Sequence, residues 1–380
     1  MDIFVNRESM ITPAGSRSQT IESLENGRSC LQYDGSVYVG RTALADEKCI
    51  EELKKNRFLR HQDRAVLLAV EAASRLRKSA GDFESDCGII LGTARGAASL
   101  LDECHTAYLT DQRTMPRTSP ATTASAFTAA VSNELGISGG GFTISAACAS
   151  SLHAVGIGRS LIKSGIAPTY VVGGAESCLS PFALSMFRSI GICATGNNEE
   201  FPVKPLSSAR NGTAISEGAG FIEISRYPSN PLGKIVGYGA AISPGDQVGV
   251  DSTGGTILKS INLALEDAGI DANEVDLIVG HGTGTKLGDI SEYKALKKIF
   301  GTLPPLVYHK WCFGHLFGAS GIVSLILALD HISRGQIPTH PYLAGIESDG
   351  ETNLSIQKGI ALVLSQGFGG QAVAVLTQCH

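Results

Sequence analysis

Predicted strands and helices alternate over the C-terminal part of this chain, and this order restricts the fold more than any other feature of the sequence. The residue pattern predicts strands at 235–238, 275–279, 306–309 and 360–364, and helices between them at 256–268, 289–300 and 319–333. Alternation at these spacings is typical of parallel strands joined by crossover helices. We therefore predict an α/β fold.

The N-terminal part has a similar but weaker pattern. Continuous apolar runs predict buried strands at 87–93 and 170–177, and helices are predicted at 51–77, 121–135 and 182–192. Weak strand patterns at 3–5 and 36–39 predict an outer strand and a loop. The Pro-rich polar segment 226–233 is expected to connect two halves.

Cys148 lies where a short predicted strand turns into a helix, within the segment GFTISAACASSLH (141–153). The strand is expected to be buried. A helix N-terminus favours a thiolate, so the pKa of this thiol should fall below its usual value of about 8.5. Cys148 is therefore a candidate nucleophile. The alternative is a buried structural cysteine, the commoner role of an unpaired cysteine.

Two histidines lie in glycine-rich loops after predicted strands. His281 opens the run HGTGT (281–285), and His315 ends the run KWCFGH (310–315). Loops at the carboxyl ends of strands are where α/β folds build their sites. One cysteine and two such histidines could act as a nucleophile and its bases.

With these motifs, the chain resembles a β-ketoacyl synthase of the thiolase superfamily over nearly its whole length. The segments RNGTAISEGAG (210–220) and GFGG (367–370) add to the resemblance. It implies a duplicated thiolase-like α/β fold, in which two βαβαβ-type halves form a five-layered αβαβα core. The N-terminal half, 1–227, would contain the nucleophile, and the C-terminal half, 228–380, both histidines.

The resemblance also implies roles for individual residues. Cys148 would hold the acyl group, and His281 and His315 would donate N–H groups to the enolate formed when a malonyl thioester loses CO₂. The backbone N–H groups of Cys148 and Phe368 would form the oxyanion hole. Lys310 would orient the site electrostatically, unless it is purely structural. The implied reaction is decarboxylative Claisen condensation with malonyl-acyl carrier protein. In it, both histidine variants should spare self-acylation more than decarboxylation.

Several positions depart from the family pattern. Gln366 stands where elongating synthases usually have a Phe that gates the acyl pocket, and Gln371-Ala372 replaces the usual Thr-Asn. Ser324 stands where a Glu usually follows a Gly-Ala-Ala-Gly motif, which would leave Lys310 without its usual partner. Asn211 replaces a usual Asp, while Glu217 is expected to hold loops together. These departures suit a specialised pathway more than housekeeping fatty acid synthesis.

Composition restricts the partners. The net charge is −5 and no long basic run is present, which argues against nucleic acid. The resemblance implies docking of an acidic acyl carrier protein on basic residues, for which we predict Lys54, Arg57, Arg60 and Lys204; the alternative is a solvated basic face. A homodimer, or a heterodimer with a second synthase-like subunit, is implied. No cofactor is expected beyond substrates carried as phosphopantetheine thioesters.

Nine scattered cysteines without CxxC spacing suggest neither a disulfide framework nor a metal site. A cytoplasmic location and no membrane span are expected.

Two other functions compete with an active synthase. A synthase-like partner subunit of the chain-length-factor type would shape the pocket of a heterodimer, but such subunits typically lack the nucleophilic cysteine. A degradative thiolase would need a second cysteine near the C-terminus, where only Cys379 is found. Acyl chain length and saturation cannot be read from the sequence.

Overall fold

In a computed structural model, the structure describes residues 1–196, 198–244, 251–343, 353–356 and 359–379. The strands in these ranges are β1 Phe4–Ile11, β2 Gln32–Tyr33, β3 Tyr38–Gly40, β4 Gly88–Gly92, β5 Gly141–Ile144, β6 Thr169–Glu176, β7 Ile215–Ser216, β8 Gly218–Ser225, β9 Gly233–Ile242, β10 Val275–Val279, β11 Leu306–Val307, β12 Gln336–Pro338, β13 Asn353–Ser355, β14 Ile360–Gly367 and β15 Gln371–Cys379. The α-helices are α1 Arg17–Glu25, α2 Leu44–Leu53, α3 Arg64–Ala80, α4 Ala98–Asp111, α5 Thr118–Thr122, α6 Ser125–Leu135, α7 Ser150–Lys163, α8 Pro181–Ser189, α9 Gly255–Ala268, α10 Lys286–Phe300, α11 Lys310–Phe313 and α12 Ser320–Arg334.

The main sheet is built from two runs of five strands with the same topology. Its order is β11-β10-β14-β15-β9-β1-β8-β6-β4-β5. If the five strands of each half are numbered 1 to 5 in chain order, the strand order from the outer edge to the middle is 3-2-4-5-1 in both halves. The two halves meet where β1 pairs with β9 antiparallel. The halves are therefore duplicated in topology. The division predicted between residues 227 and 228 falls in the connection between β8 and β9, and that boundary stays a prediction.

The prediction of parallel strands is right only in part. β4 pairs in parallel with β5 and β6, and β10 with β11 and β14. β8, β15, β1 and β9 pair antiparallel with their neighbours, which makes each half a mixed sheet. Helices that follow the parallel strands cross back over the sheet, whereas β14 and β15 join through a tight Gly369–Gly370 turn, both at positive φ.

Helices cover both faces and the middle of this arrangement. α7 and α12 pack on each other between the two half-sheets, α3 and α6 cover the outer face of one half, and α9 and α10 cover that of the other. The largest core cluster contains the apolar side chains of α7 and α12, and two further clusters lie beneath the outer helices. This is the expected five-layered αβαβα core.

Two strands lie where the sequence did not place them. β1, expected as an outer strand, is the sixth of ten and pairs with β8 along its length. The polar residues Arg7 and Glu8 of β1 are not typical of a central strand, so the sequence did not indicate this position. Arg7 forms an ion pair with Glu223, which neutralises its charge. β5, expected to be buried, is the edge strand, and Phe142 on it is 43% exposed.

The helix predicted at 51–77 is two helices. α2 ends at Leu53, and α3 begins after Asp63, whose carboxylate caps it by accepting a hydrogen bond from the Ala65 N–H at 2.8 Å. An N-cap of this kind stabilises a helix start by about 1 kcal/mol. The residues from Lys54 to Gln62 therefore form turns at the surface.

Within the described ranges, every helix is too short or too polar to cross a membrane.

Candidate active site

Cys148 lies in the turn that joins edge strand β5 to α7 in the middle layer. Ala147 before it has φ +50°, an uncommon conformation for a residue with a side chain. The backbone of Gly367, at the end of β14, packs against this turn so closely that an added Cβ would meet the Ala146 carbonyl oxygen at 2.9 Å. The Ser365 hydroxyl donates to the Cys148 carbonyl at 2.8 Å. Both halves of the protein thus hold the cysteine in place.

His315 contacts the sulfur of Cys148 directly, although the two lie 167 residues apart. Its Nε2 is 3.0 Å from Cys148 Sγ, and its Nδ1 is 2.9 Å from Ser320 Oγ. Ser320 Oγ also accepts the Leu316 N–H at 3.0 Å. Because a hydroxyl can both donate and accept, Ser320 can pair with either tautomer of the ring. His315 can therefore accept a proton at Nε2 in one step and donate one in another.

His281 is held as the opposite kind of group, a fixed donor. The Lys310 ammonium donates to the His281 carbonyl oxygen and lies 3.4 Å from His281 Nδ1. A protonated lysine can only donate, so Nδ1 must accept and the ring proton must be on Nε2. The His281 and His315 rings meet nearly edge to face, with centroids 5.2 Å apart. The two imidazoles are thus neighbours, and that of His315 contacts the Cys148 sulfur.

Burial dominates the electrostatics of the site. It raises the pKa of the Cys148 thiol to about 12, and the charge of Lys310 opposes this shift. The expected lowering by the helix N-terminus is therefore wrong for the resting protein, because removal of the thiolate from water outweighs it. Burial, followed by the Lys310 charge, also lowers the pKa of both His281 and His315 well below the usual value. At neutral pH both rings are neutral, and the cysteine is a thiol that must give up its proton as it reacts.

Lys310 is buried, and burial lowers its pKa to about 8, while the Glu292 carboxylate raises it. Glu292 is fully buried on α10 and accepts the His281 N–H at 2.7 Å. With Ser324 at the usual Glu position, Lys310 was expected to be without its usual partner. The His281 carbonyl oxygen and the Glu292 charge compensate the ammonium instead.

Gln366 is tied to the same carboxylate. Its Nε2 donates to Glu292 Oε2 at 3.0 Å, so its amide is not left without a partner as it faces the site. Phe368 lies in the following turn. Both residues line the cavity that holds Cys148 and the two histidines.

That cavity has a volume of about 640 Å³ and opens to solvent. Thr283 and Thr285 line it near His281, and the first turn of α10, from Lys286 to Gly288, forms part of its rim. A cavity of this size can admit a narrow chain that ends at a thioester.

The four basic residues predicted to dock a carrier protein lie elsewhere. Lys54 pairs with Glu51 at 2.6 Å, the Arg57 guanidinium lies over the Phe58 ring, and Arg60 is exposed between α2 and α3. Lys204 pairs with Glu199. Of the described residues that line the Cys148 cavity, none belongs to this set. Their role in docking stays a prediction.

Glu217 holds loops together, as the sequence predicted. It is fully buried and accepts hydrogen bonds from the Thr42 N–H, the Ser177 hydroxyl and the Arg64 guanidinium.

Three buried polar residues of the site were not singled out from the sequence. Glu292 supports the His281 loop, and Glu176 accepts backbone N–H groups from Ala94 and Gly318 beside the nucleophile turn. Ser320 orients His315. A signal for Ser320 was present, since the chain has Gly-Ala-Ser-Gly at 318–321 where the family motif is Gly-Ala-Ala-Gly. The two glutamates gave no comparable signal.

Ser320→Ala is expected to slow both self-acylation and CO₂ release by about tenfold. His315 Nδ1 and the Leu316 N–H each lose a hydrogen-bond partner, and an unsatisfied buried polar group costs about 1–3 kcal/mol. The measurement is single-turnover acylation and CO₂ release across pH 6 to 9. Ser320→Thr, which keeps the hydroxyl, should restore most of the rate and the pH profile. Equal rates for the Ala variant and the wild type would show that Ser320 does not position the ring.

Two family descriptions match the chain. Residues 15–229 match the β-ketoacyl synthase N-terminal domain, and residues 232–343 match the β-ketoacyl synthase C-terminal domain. The chain is 27% identical over 349 residues to 3-oxoacyl-[acyl-carrier-protein] synthase 2 of Staphylococcus aureus strain N315, covering 85% of this chain and 83% of that protein. The protein of the same name from Vibrio harveyi is 26% identical over 408 residues, covering 97% and 96%.

Solved structures share the fold. The ishigamide ketosynthase/chain length factor superposes with a TM-score of 0.86 at 24% identity, covering 100% of this chain and 99% of that one. The type II PKS complex AntDE:AntF, a ketosynthase with its acyl-carrier protein, gives 0.87 at 21% identity with the same coverage.

The duplicated thiolase-like fold, with a buried cysteine against His315 and the His281 ring against that of His315, is the arrangement expected of a condensing enzyme. The chain belongs to the β-ketoacyl synthase family, whose members are condensing acyltransferases.

Proposed function

We propose that this protein catalyses decarboxylative Claisen condensation of an acyl thioester with malonyl-acyl carrier protein through an acyl-Cys148 intermediate. The observation that carries the proposal is the 3.0 Å contact between Cys148 Sγ and His315 Nε2, with His281 fixed beside it as an N–H donor. A partner subunit of the chain-length-factor type would have no use for this arrangement.

The first half-reaction moves the acyl group onto the enzyme. As Cys148 Sγ attacks the acyl carbonyl, His315 Nε2 takes the thiol proton, and the carrier thiolate leaves and takes a proton from water. The imidazolium releases its Nδ1 proton to water through the Ser320 hydroxyl, which leaves His315 neutral with its proton on Nε2. One thioester replaces another, so the step is nearly balanced in free energy. The N–H groups of Cys148 and Phe368 would stabilise the oxyanion.

The second half-reaction extends the chain. The C–C bond to the malonyl carboxylate breaks, CO₂ leaves, and the electron pair moves to the thioester oxygen as an enolate. Nε2–H groups of His281 and His315 would stabilise that oxygen. The enolate carbon then attacks the acyl-Cys148 carbonyl. The Cys148 thiolate leaves and takes the proton from His315 Nε2, while Nδ1 regains a proton from water through Ser320.

The direct test is incubation with an octanoyl-loaded acyl carrier protein and then with malonyl-acyl carrier protein. We expect an acyl adduct on the protein by intact mass, followed by release of a β-ketoacyl product and CO₂. Absence of both adduct and product with several acyl groups would favour the partner-subunit function instead.

The edge of the sheet supports a dimer. β5 ends the sheet, and α4 beside this half has no buried residues, with Leu101 and Leu109 more than half exposed. Apolar surface of this kind marks an interface. We infer a homodimer or a heterodimer with a second synthase-like subunit. All nine cysteines lie in described ranges, and no two of them form a disulfide, which fits a reducing cytoplasm.

Gln366 is proposed as the acyl gate. An apolar Phe would add roughly 1.5–3 kcal/mol of burial against an alkyl chain, whereas the Gln366 amide is bound to Glu292 and presents a polar edge. A rigid, conjugated or oxygenated acyl chain fits such a gate better than a saturated one, in keeping with a specialised pathway.

Gln366→Phe should therefore shift preference about tenfold towards saturated acyl groups in competition assays, by the burial energy above. Gln366→Met, which removes the bond to Glu292 without adding a ring, separates loss of the anchor from gain of apolar contact. If the Phe variant keeps the wild-type substrate ranking, position 366 is not a gate.

A further inference from the structure

One side of α10 is exposed and combines apolar with basic side chains. Leu287, Ile290 and Tyr293 are exposed by 64%, 40% and 40% of their surface. Three lysines on the same side are exposed as well: Lys286, Lys294 and Lys297. Residues at spacings of three, four and seven share one face of a helix, and we name these six residues the α10 face.

The α10 face starts at the opening of the Cys148 cavity. Lys286 and Leu287 line the cavity rim, and the helix runs away from it across the outer layer of the C-terminal half. The opposite side of α10 is buried: Glu292 holds the His281 loop, and Ala295 and Leu296 pack in the core. The helix is therefore rigidly placed, and its outer side is continuous with the entrance.

The α10 face is positively charged. Asp289 and Glu292, the acidic residues of the helix nearest the cavity, are buried and point inward. Among the ion pairs of the described residues, none includes Lys286, Lys294 or Lys297. An acidic partner with apolar side chains among its carboxylates would match both the charge and the exposed Leu287, Ile290 and Tyr293.

We propose that the α10 face is a docking surface for the acyl carrier protein that delivers the thioester. This rests on the proposed function. A carrier that feeds a thioester through the cavity must sit at its opening, and the α10 face borders that opening. Lys54, Arg57 and Arg60, the basic set expected from the sequence, lie in the turns between α2 and α3 and do not line it.

The test compares loading of Cys148 from two donors: an octanoyl-loaded bacterial acyl carrier protein and octanoyl-pantetheine, which has no protein. The variant is Ile290→Glu with Lys294→Glu. We expect KM for the carrier-bound donor to rise about tenfold or more, as for loss of contacts at the centre of an interface, and the rate with octanoyl-pantetheine to stay unchanged. Raising the salt concentration should weaken wild-type loading from the carrier protein more than that of the variant.

The control is Ile166→Glu with Lys78→Glu, which makes the same charge change at exposed residues remote from the cavity lining. Unchanged carrier loading by the α10 variant would overturn the proposal, as would an effect confined to Lys54→Glu with Arg57→Glu. A change in sedimentation mass of the α10 variant would assign the face to a second copy of the chain instead. Failure of the wild type to load from either donor would refute the proposed function itself, a result distinct from these.

Discussion

Cys148→Ala is expected to abolish acyl transfer while leaving the fold intact. The wild type should gain the mass of an acyl group when incubated with an acyl-acyl carrier protein, and the variant should gain none. The reason is that in the proposed mechanism the Cys148 sulfur forms the covalent bond, and it lies 3.0 Å from His315 Nε2, the proton acceptor. Intact-mass spectrometry measures the adduct.

Stability should change little, because the substitution removes one sulfur atom. Cys148 packs in a small cluster with Phe187, Cys193 and Phe317, and a void of this size costs about 1 kcal/mol. Cys178→Ala is the matched control, since Cys178 is buried in the same cluster. It should lose similar stability in thermal unfolding and keep the adduct. An adduct that persists on Cys148→Ala would remove Cys148 from its role.

The buried thiol makes a further demand on the site. Because burial raises the pKa of Cys148 to about 12, little thiolate is present at pH 7. In the proposed mechanism, attack on the thioester must therefore be coupled to proton transfer, and His315 Nε2, which lies 3.0 Å from Cys148 Sγ, would be the acceptor. Ser320 allows the transfer, since its hydroxyl can accept from Nδ1–H before the step and donate to Nδ1 after the proton has moved on.

Much of this site follows from the sequence because it is built from local signals. Cys148 at a strand-to-helix turn and two histidines in glycine-rich loops after strands are readable one at a time. The fold then brings them together, because these loops lie where the two half-sheets and the middle helices α7 and α12 meet. Local patterns therefore identified the three residues, and the family resemblance predicted that they form one site.

What the sequence missed depends on long-range pairing. The central place of β1 requires knowledge that β8 and β9 flank it, which no property of residues 4–11 reveals. The exposure of β5 follows from its place at the sheet edge, and Phe142 looks like a core residue until that place is known. Burial likewise reverses the direction of the Cys148 pKa, since a local helix argument cannot weigh desolvation by the whole fold.

The two histidines are expected to differ, although the sequence predicted the same behaviour for both. Loss of one donor to a developing oxyanion typically slows a reaction by about 10²–10³, so His281→Ala and His315→Ala should each slow CO₂ release from malonyl-acyl carrier protein by about that factor. The two variants should differ in their rates of self-acylation. His281 is bound to Lys310 and to Glu292 of α10, so its variant should acylate Cys148 at nearly the wild-type rate.

His315→Ala should slow self-acylation as well, because the thiol loses its proton acceptor at 3.0 Å. Raising the pH should partly rescue acylation in this variant, since hydroxide then generates the thiolate whose pKa burial holds near 12. In the wild type, CO₂ release should decline above about pH 8, where Lys310 loses the proton that keeps His281 Nδ1 an acceptor. His105→Ala, an exposed histidine on α4, is the control and should change neither half-reaction. Equal losses in both half-reactions for His281→Ala, or full self-acylation by His315→Ala at pH 7, would contradict this division of roles.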